Sequence, residues 1–265
     1  MVRKASYAGY FYPASRETLE GDLRRLIVKA EKKKRVLGLI VPHAGYIYSG
    51  GCAGKGFGSI ELTSSVILLG VNHRGAGYRL AVDGHDYWET PLGRIAVDAE
   101  LRSELTSGQY FQVDSQAGIF EHSLEVQVPF IQFLNPQARI LPILVSSHQP
   151  VELLAAGREL AQLLEKKERP MMVASSDMSH YISAEAAKKL DGLAIDRMLN
   201  LDAAGLISTV SENDISMCGV APVTLMLAAA VTAGATQSAL IEYTHSGAVT
   251  GDTAEVVGYA SLIVF

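Results

Sequence analysis

Residues 36–46, VLGLIVPHAGY, hold a short aliphatic run that breaks off at Pro42 into a polar loop carrying His43. Two further stretches repeat the arrangement: 66–75, VILLGVNHRG, ends near His73, and 170–180, PMMVASSDMSH, ends in His180. Each run is brief, aliphatic and nearly free of charge, the pattern of a strand buried on both faces. In open α/β sheets the loops at the carboxyl ends of parallel strands converge on the ligand crevice. Three strand-end imidazoles are therefore expected in one pocket.

Working outward, strands and helices alternate. Ser15 reads as an N-cap, with Leu19, Leu23, Leu26, Ile27 and Ala30 on one helical face. A strand is expected over 36–42, and the glycine-rich GGCAGKGFG at 50–58 opens a closely packed helix. A strand comes next over 65–71, then a hairpin or edge segment over 78–98 around Thr90-Pro91-Leu92-Gly93. Helices are predicted over 99–107 and 122–134, a strand over 138–145, a helix over 150–168 and a strand over 170–175. Helices over 183–200 and 202–211 lead to an uncharged helix over 220–233, and strands over 238–245 and 254–264 complete the pattern. The fold class read from this order is α/β: a single domain over 1–265, built as a three-layer α/β/α sandwich. Its sheet is mostly parallel, and mixed if the last two strands pair antiparallel.

Composition narrows the function. At 265 residues, 48% apolar and 19% charged, the chain buries a large core and is not a disordered protein. A formal charge of −5 gives no basic face for nucleic acid. The one basic run, KAEKKKR at 29–35, is read as the end of the first helix, where cations suit the helix dipole. Two cysteines, Cys52 and Cys218, are too few for a disulfide framework and fit a reducing cytoplasm. The start, MVRKASYAGYFYP, lacks the apolar core of a signal peptide. Residues 216–241 carry no charge, yet Pro222 and the many small residues favour a buried core helix over a membrane span.

The glycines at 50–58 do not make a phosphate loop, because Lys55 is followed by Gly56 and the spacing before it is wrong. No Gly-x-Ser-x-Gly elbow occurs. His43 and His73 stand in equivalent places past buried strands, and neutral imidazole is the commonest metal-binding side chain. Either one alone would be explained equally well by a hydrogen bond to a loop carbonyl. Cys218, in SMCGVAP before the uncharged helix, is a small core residue on one reading. On the other, the helix N-terminus lowers its pKa and makes it a thiolate ligand. Asp177 and His180 share SSDMSH, so Asp177 is expected to orient His180, to cap the following turn, or both. In EHSLEVQ, Glu121 and His122 begin a helix, with His122 and Glu125 on one face, either lining the pocket or bonded to each other. Cys52 is read as structural, and His85, His148 and His245 as surface residues.

The segments AGYFYP, PHAGYIYSG, GVNHRG, ETPLG, EHSLEVQVPF, LPILV, SSDMSHY and MCGVAP span nearly the whole chain and resemble the Memo family. Its prokaryotic members are known as the B component of the AmmeMemoRadiSam system. The resemblance implies a fold like that of the class III extradiol ring-cleaving dioxygenases, which hold iron(II) with two histidines and a carboxylate and use a further histidine as acid–base. Carried over, the metal-binding histidines correspond to His43 and His73, the third ligand to Cys218 and the acid–base group to His180. Eukaryotic relatives are described both as binders of iron or copper and as binders of phosphotyrosine peptides. An aromatic at their cleft entrance matches Phe11 or Tyr12. Tyr46, Glu121 and His122 are expected in the same pocket. A thiolate in place of glutamate tilts the site towards copper(I) or zinc relative to iron(II). The resemblance thus implies a metal-dependent oxidoreductase on a small molecule, or a non-catalytic cleft for a peptide or other anionic partner.

Overall fold

Alternation inside the aliphatic runs sets the two faces of the sheet. In the computed structural model, which describes residues 1–166 and 169–265, Val66 and Leu68 join one hydrophobic cluster while Ile67 and Leu69 join the other. Leu39 and Val41 divide from Ile40 in the same way, as do Met171 and Val173 from Met172 and Ala174. All are fully buried, so these runs are strands covered on both sides.

The strands are β1 (Val2–Arg3), β2 (Gly38–Val41), β3 (Ser65–Val71), β4 (Leu80–Asp83), β5 (Tyr87–Thr90) and β6 (Gly93–Val97). They continue with β7 (Gln112–Asp114), β8 (Arg139–Val145), β9 (Met171–Ser175), β10 (His180–Ile182), β11 (Ser238–His245) and β12 (Val256–Val264). The helices are α1 (Arg16–Leu26), α2 (Tyr46–Gly58), α3 (Ala99–Leu105), α4 (His122–Glu125) and α5 (Val128–Leu134). After them come α6 (Pro150–Ala161), α7 (Ala184–Leu199), α8 (Ala203–Glu212), α9 (Val220–Thr232) and α10 (Gly247–Thr250).

One mixed sheet runs in the order β1-β5-β6-β8-β3-β9-β2-β12-β10. Its centre is parallel: β3 pairs with β8 and β9, and β9 with β2, all in the same direction. The final strand β12 pairs antiparallel with β2 and with β11, which makes the sheet mixed. Helices α1, α2 and α5 cover one face through Leu23, Phe57 and Phe130. Phe57 stacks on Phe130 with ring centroids 5.0 Å apart, and truncation of such a buried ring to Ala costs about 3–5 kcal/mol. Helices α6 to α9 cover the opposite face, with Leu160, Met198, Leu206 and Leu225 in one cluster. Helix α9 is the uncharged segment, and most of its side chains are buried. Among the described residues no helix is long and apolar enough to cross a membrane.

Three boundaries differ from those expected. The helix predicted over 122–134 is two helices, because Pro129 has no N–H and its ring clashes with the carbonyl four residues back. Helix α1 stops at Leu26, so the basic run 29–35 forms an exposed connector and Ala30 is on the surface. Helix α6 stops at Ala161 and tightens into a 3-10 turn over Gln162–Glu165; the end of the predicted helix, at 167–168, lies outside the described residues. The hairpin is as the turn residues indicated, with Thr90 opposite Gly93 across β5 and β6. His85 is buried rather than on the surface. The turn after β4 lets Asp83 accept both its backbone N–H at 3.0 Å and its Nδ1–H at 2.9 Å.

Candidate metal centre

The parallel centre of the sheet brings the three loops to one end: His43 lies just past β2, His73 past β3, and Asp177 and His180 past β9. His122, the first residue of α4, completes the group. The ring centroid of His43 lies 5.3 Å from those of His73 and of His122, and the last two stack at 4.8 Å. One ring nitrogen from each of the three lies within 4.8 Å of the other two, close enough to share a metal ion. Two glycines permit this approach. A Cβ on Gly70 in β3 would stand 2.5 Å from Leu124 Cδ2 of α4, and one on Gly219 would stand 2.6 Å from Ser175 O. The first lets α4 settle on the end of β3, and the second brings Cys218 against the loop after β9.

His43 is 2% exposed, and its neighbours set its tautomer. Ser175 Oγ donates to Ser123 O at 2.7 Å and accepts from Gln127 Nε2 at 3.0 Å. At 2.9 Å from His43 Nδ1 it therefore accepts again, so Nδ1 carries the hydrogen and Nε2 keeps its lone pair. Cys218 Sγ lies 3.3 Å from that Nε2, and Asp177 Oδ2 lies 4.0 Å from it. Burial, reinforced by the neighbouring histidines, holds the His43 pKa well below the imidazole range, so the ring is neutral. Burial likewise lowers that of His122. Burial also pushes the Cys218 thiol up, with Asp177 adding to the effect. This is opposite to the lowering expected from the helix N-terminus, because the sulfur is enclosed and sits beside a carboxylate. Without a metal, Cys218 is a thiol.

Asp177 has a different partner from the one expected. Its Oδ1 accepts the backbone N–H of His43 at 2.8 Å and of Ala44 at 3.3 Å, so it fixes the His43 loop. His180 is oriented instead by Ser216, whose Oγ accepts its backbone N–H and whose carbonyl accepts its Nδ1–H, both at 2.8 Å. Among the described residues, His180 Nε2 makes no hydrogen bond, and the ring borders the cleft. Glu121, 1% exposed, accepts from His73 N at 2.8 Å, His73 Nδ1 at 3.0 Å and Ser123 N at 2.9 Å. Burial works to raise its pKa, but these hydrogen bonds and the adjacent histidines bring it down to about 2.

Phe11 and Tyr12 take separate roles at the cleft entrance. Phe11 packs over His122 with centroids 4.5 Å apart and lines a cleft of about 490 Å³ together with Tyr48, Asp177, His180 and Tyr259. Tyr12 is buried behind it, donating its hydroxyl to Glu125 at 2.7 Å. Tyr46 is also buried, bonded to Val126 O, and borders a separate cavity of about 450 Å³ between α1, α2 and β11. Glu125 does not pair with His122. It meets Arg3, and it also accepts the N–H groups of Ser6 and Tyr7, tying the N-terminal segment over the site. Sequence reasoning passed over Arg3, Ser175 and Gln127. A glutamate inside the apolar EHSLEVQVPF was the one signal that a buried cation had to exist elsewhere.

A sequence model of the Memo family, described as Memo-like protein, matches residues 3–263. The chain belongs to the Memo family. It is 40% identical to a MEMO1 family protein of Aquifex aeolicus over 265 residues, covering 99% of this chain and 98% of that one. A MEMO1 family protein of Methanosarcina mazei is 38% identical over 266 residues and 99% of each chain. The Memo-family chain also shares its fold with the crystal structure of an uncharacterized protein from Escherichia coli K12. The TM-score is 0.54 at 13% identity, covering 86% of this chain and all of the other.

Proposed function

We propose that this Memo-family protein holds a metal ion at the histidine cluster and uses it on a small molecule bound in the adjoining cleft. The observation that carries the reading is the convergence of His43, His73 and His122, at least two of them held neutral by burial. His43 and His73 belong to either donor set. The third donor is His122 on grounds of convergence, and Cys218 adds a sulfur through its contact with His43 Nε2. Imidazole donors suit iron(II), copper and zinc alike, and the sulfur favours the softer two. When bound, the ion supplies Lewis acidity, and iron or copper adds redox chemistry of the dioxygenase-like kind.

The chain's own residues supply the rest. His180 offers Nε2 to the cleft as a proton acceptor or donor, its ring fixed by Ser216. Phe11 shields one side of His122 from water, and Asp177 anchors the His43 loop. The proposed setting is the cytoplasm, with other AmmeMemoRadiSam components as the natural partners. A second reading, a non-catalytic cleft for an anionic peptide, draws support from α2, whose first turn opens beside the cleft with no side-chain cap and no acidic residue of its own, although Asp177 lines the same cleft.

Anaerobic purification with metal analysis, followed by oxygen uptake on a panel of phenols, tests the proposal. Stoichiometric metal that is lost in His43→Ala, with substrate-dependent uptake, supports the enzyme. Peptide affinity that survives metal removal, with no uptake, supports the binder.

A further inference from the structure

Three N–H groups donate to the Glu121 carboxylate. His73 N–H points at Oε2, while Ser123 N–H and His73 Nδ1 meet Oε1. His122 Nδ1 lies 3.3 Å from that same Oε1. An ionised carboxylate only accepts hydrogen bonds. His73 Nδ1 at 3.0 Å therefore carries the hydrogen, while His122 Nδ1 lies close without the alignment of a hydrogen bond. We infer that Glu121 is a positioning residue that sets the tautomer of His73, placing hydrogen on Nδ1 and leaving the Nε2 lone pair for a ligand. Glu121 thereby prepares His73 as Ser175 prepares His43.

Substitution by glutamine makes the inference sharp. An amide nitrogen in the Oε2 place would confront the His73 N–H, donor against donor. In the Oε1 place it would donate to the His73 Nδ1, drawing the hydrogen across to Nε2 and removing its lone pair. Glu121→Gln therefore swaps tautomers or strands a backbone donor, with almost no change in shape.

The inference depends on the metal reading for its purpose, but its test does not need a metal. Nitrogen-15 chemical shifts and ring couplings, recorded on metal-free protein well above the imidazole titration range, report which nitrogen carries the hydrogen. Expected are Nδ1–H on His73 in the wild type and, in Glu121→Gln, either a shift towards Nε2–H on His73 or a displaced His73 backbone amide resonance. A zinc(II) dissociation constant raised about 10–100-fold should accompany it, the usual effect of losing a group that orients ligands. Nε2–H on His73 in the wild type overturns the assignment before any variant is made. An unchanged His73 tautomer together with an unchanged His73 backbone amide resonance in a folded Glu121→Gln overturns it as well. Wild-type protein with Nδ1–H on His73 and no zinc uptake upholds the role of Glu121 and tells against the metal reading instead.

Discussion

Arg3 Nη1 meets Glu125 Oε2 at 2.7 Å, and neither side chain is more than 1% exposed. Arg3 also donates to the carbonyls of Gly118 and Glu121 and lies 4.1 Å from the centre of the Trp88 ring. Removing one partner of such a pair leaves an uncompensated buried charge. Arg3→Met should lower unfolding stability by about 3–5 kcal/mol, and Arg3→Met with Glu125→Gln should recover part of that loss. Urea denaturation measures both. A single variant as stable as the wild type would show the pair to be idle.

Metal content should separate the two donor sets. His43→Ala and His73→Ala should each lose most of the bound ion. His122→Ala should do the same if three imidazoles hold it, and Cys218→Ser if the sulfur is a principal donor. Elemental analysis of the four variants, checked for folding by circular dichroism, decides. Equal metal content in all four would remove the centre altogether.

His180 and Asp177 are predicted to fail differently. His180→Ala should keep its metal and lose about 10²–10⁴-fold in turnover, the scale of a positioned proton-transfer group. Asp177→Asn should weaken metal retention first, because its carboxylate holds the amides of His43 and Ala44 rather than the His180 ring. Metal analysis and rate measurement on the same samples test this, and an Asp177→Asn protein with full metal and only a rate defect would contradict it.

Acid should destabilise the metal-free protein through its buried imidazoles. His43 and His122 titrate below their ordinary value of 6.5 in the folded state. Below that value the unfolded chain binds protons that the folded chain refuses, so stability rises with pH there. The contribution is complete above about pH 6.5 and drains away as pH falls towards the folded values. Raised carboxylates such as Asp191 act in the opposite direction at lower pH. Urea midpoints at about pH 7.5 and 5.5 should therefore differ more in wild type than in His43→Gln. Equal differences would refute the assignment.

The sheet and the histidines at its end were readable because strand runs and their loops are local. Uncharged aliphatic residues ending at Pro42, Asn72 and Ser175 announce buried parallel strands, and topology alone then gathers their outgoing loops at one end of the sheet. The contacts that tune those histidines were not readable. Asp177 reaches back 134 positions to His43, and Arg3 reaches 122 positions forward to Glu125. Nothing in the spacing of SSDMSH reveals that its aspartate holds the amides of the His43 loop while its histidine is held by Ser216. The protonation of Cys218 was not readable for the same reason: burial raises its pKa, and the Asp177 carboxylate, distant in sequence, adds to the effect.

Because His43, His73 and His122 come from three separate stretches of chain, the cluster has no counterpart in the unfolded polypeptide. It exists only after β2, β9 and β3 have found their register. Any ion it captures thus binds the native state alone, and raises its free energy of unfolding by RT ln(1 + [ion]/Kd), about 2.7 kcal/mol at a hundredfold excess over Kd. Ion supply would then govern how long the protein persists in a cell as well as what it does there, since an ion-starved population would open, and be degraded, more often than a replete one.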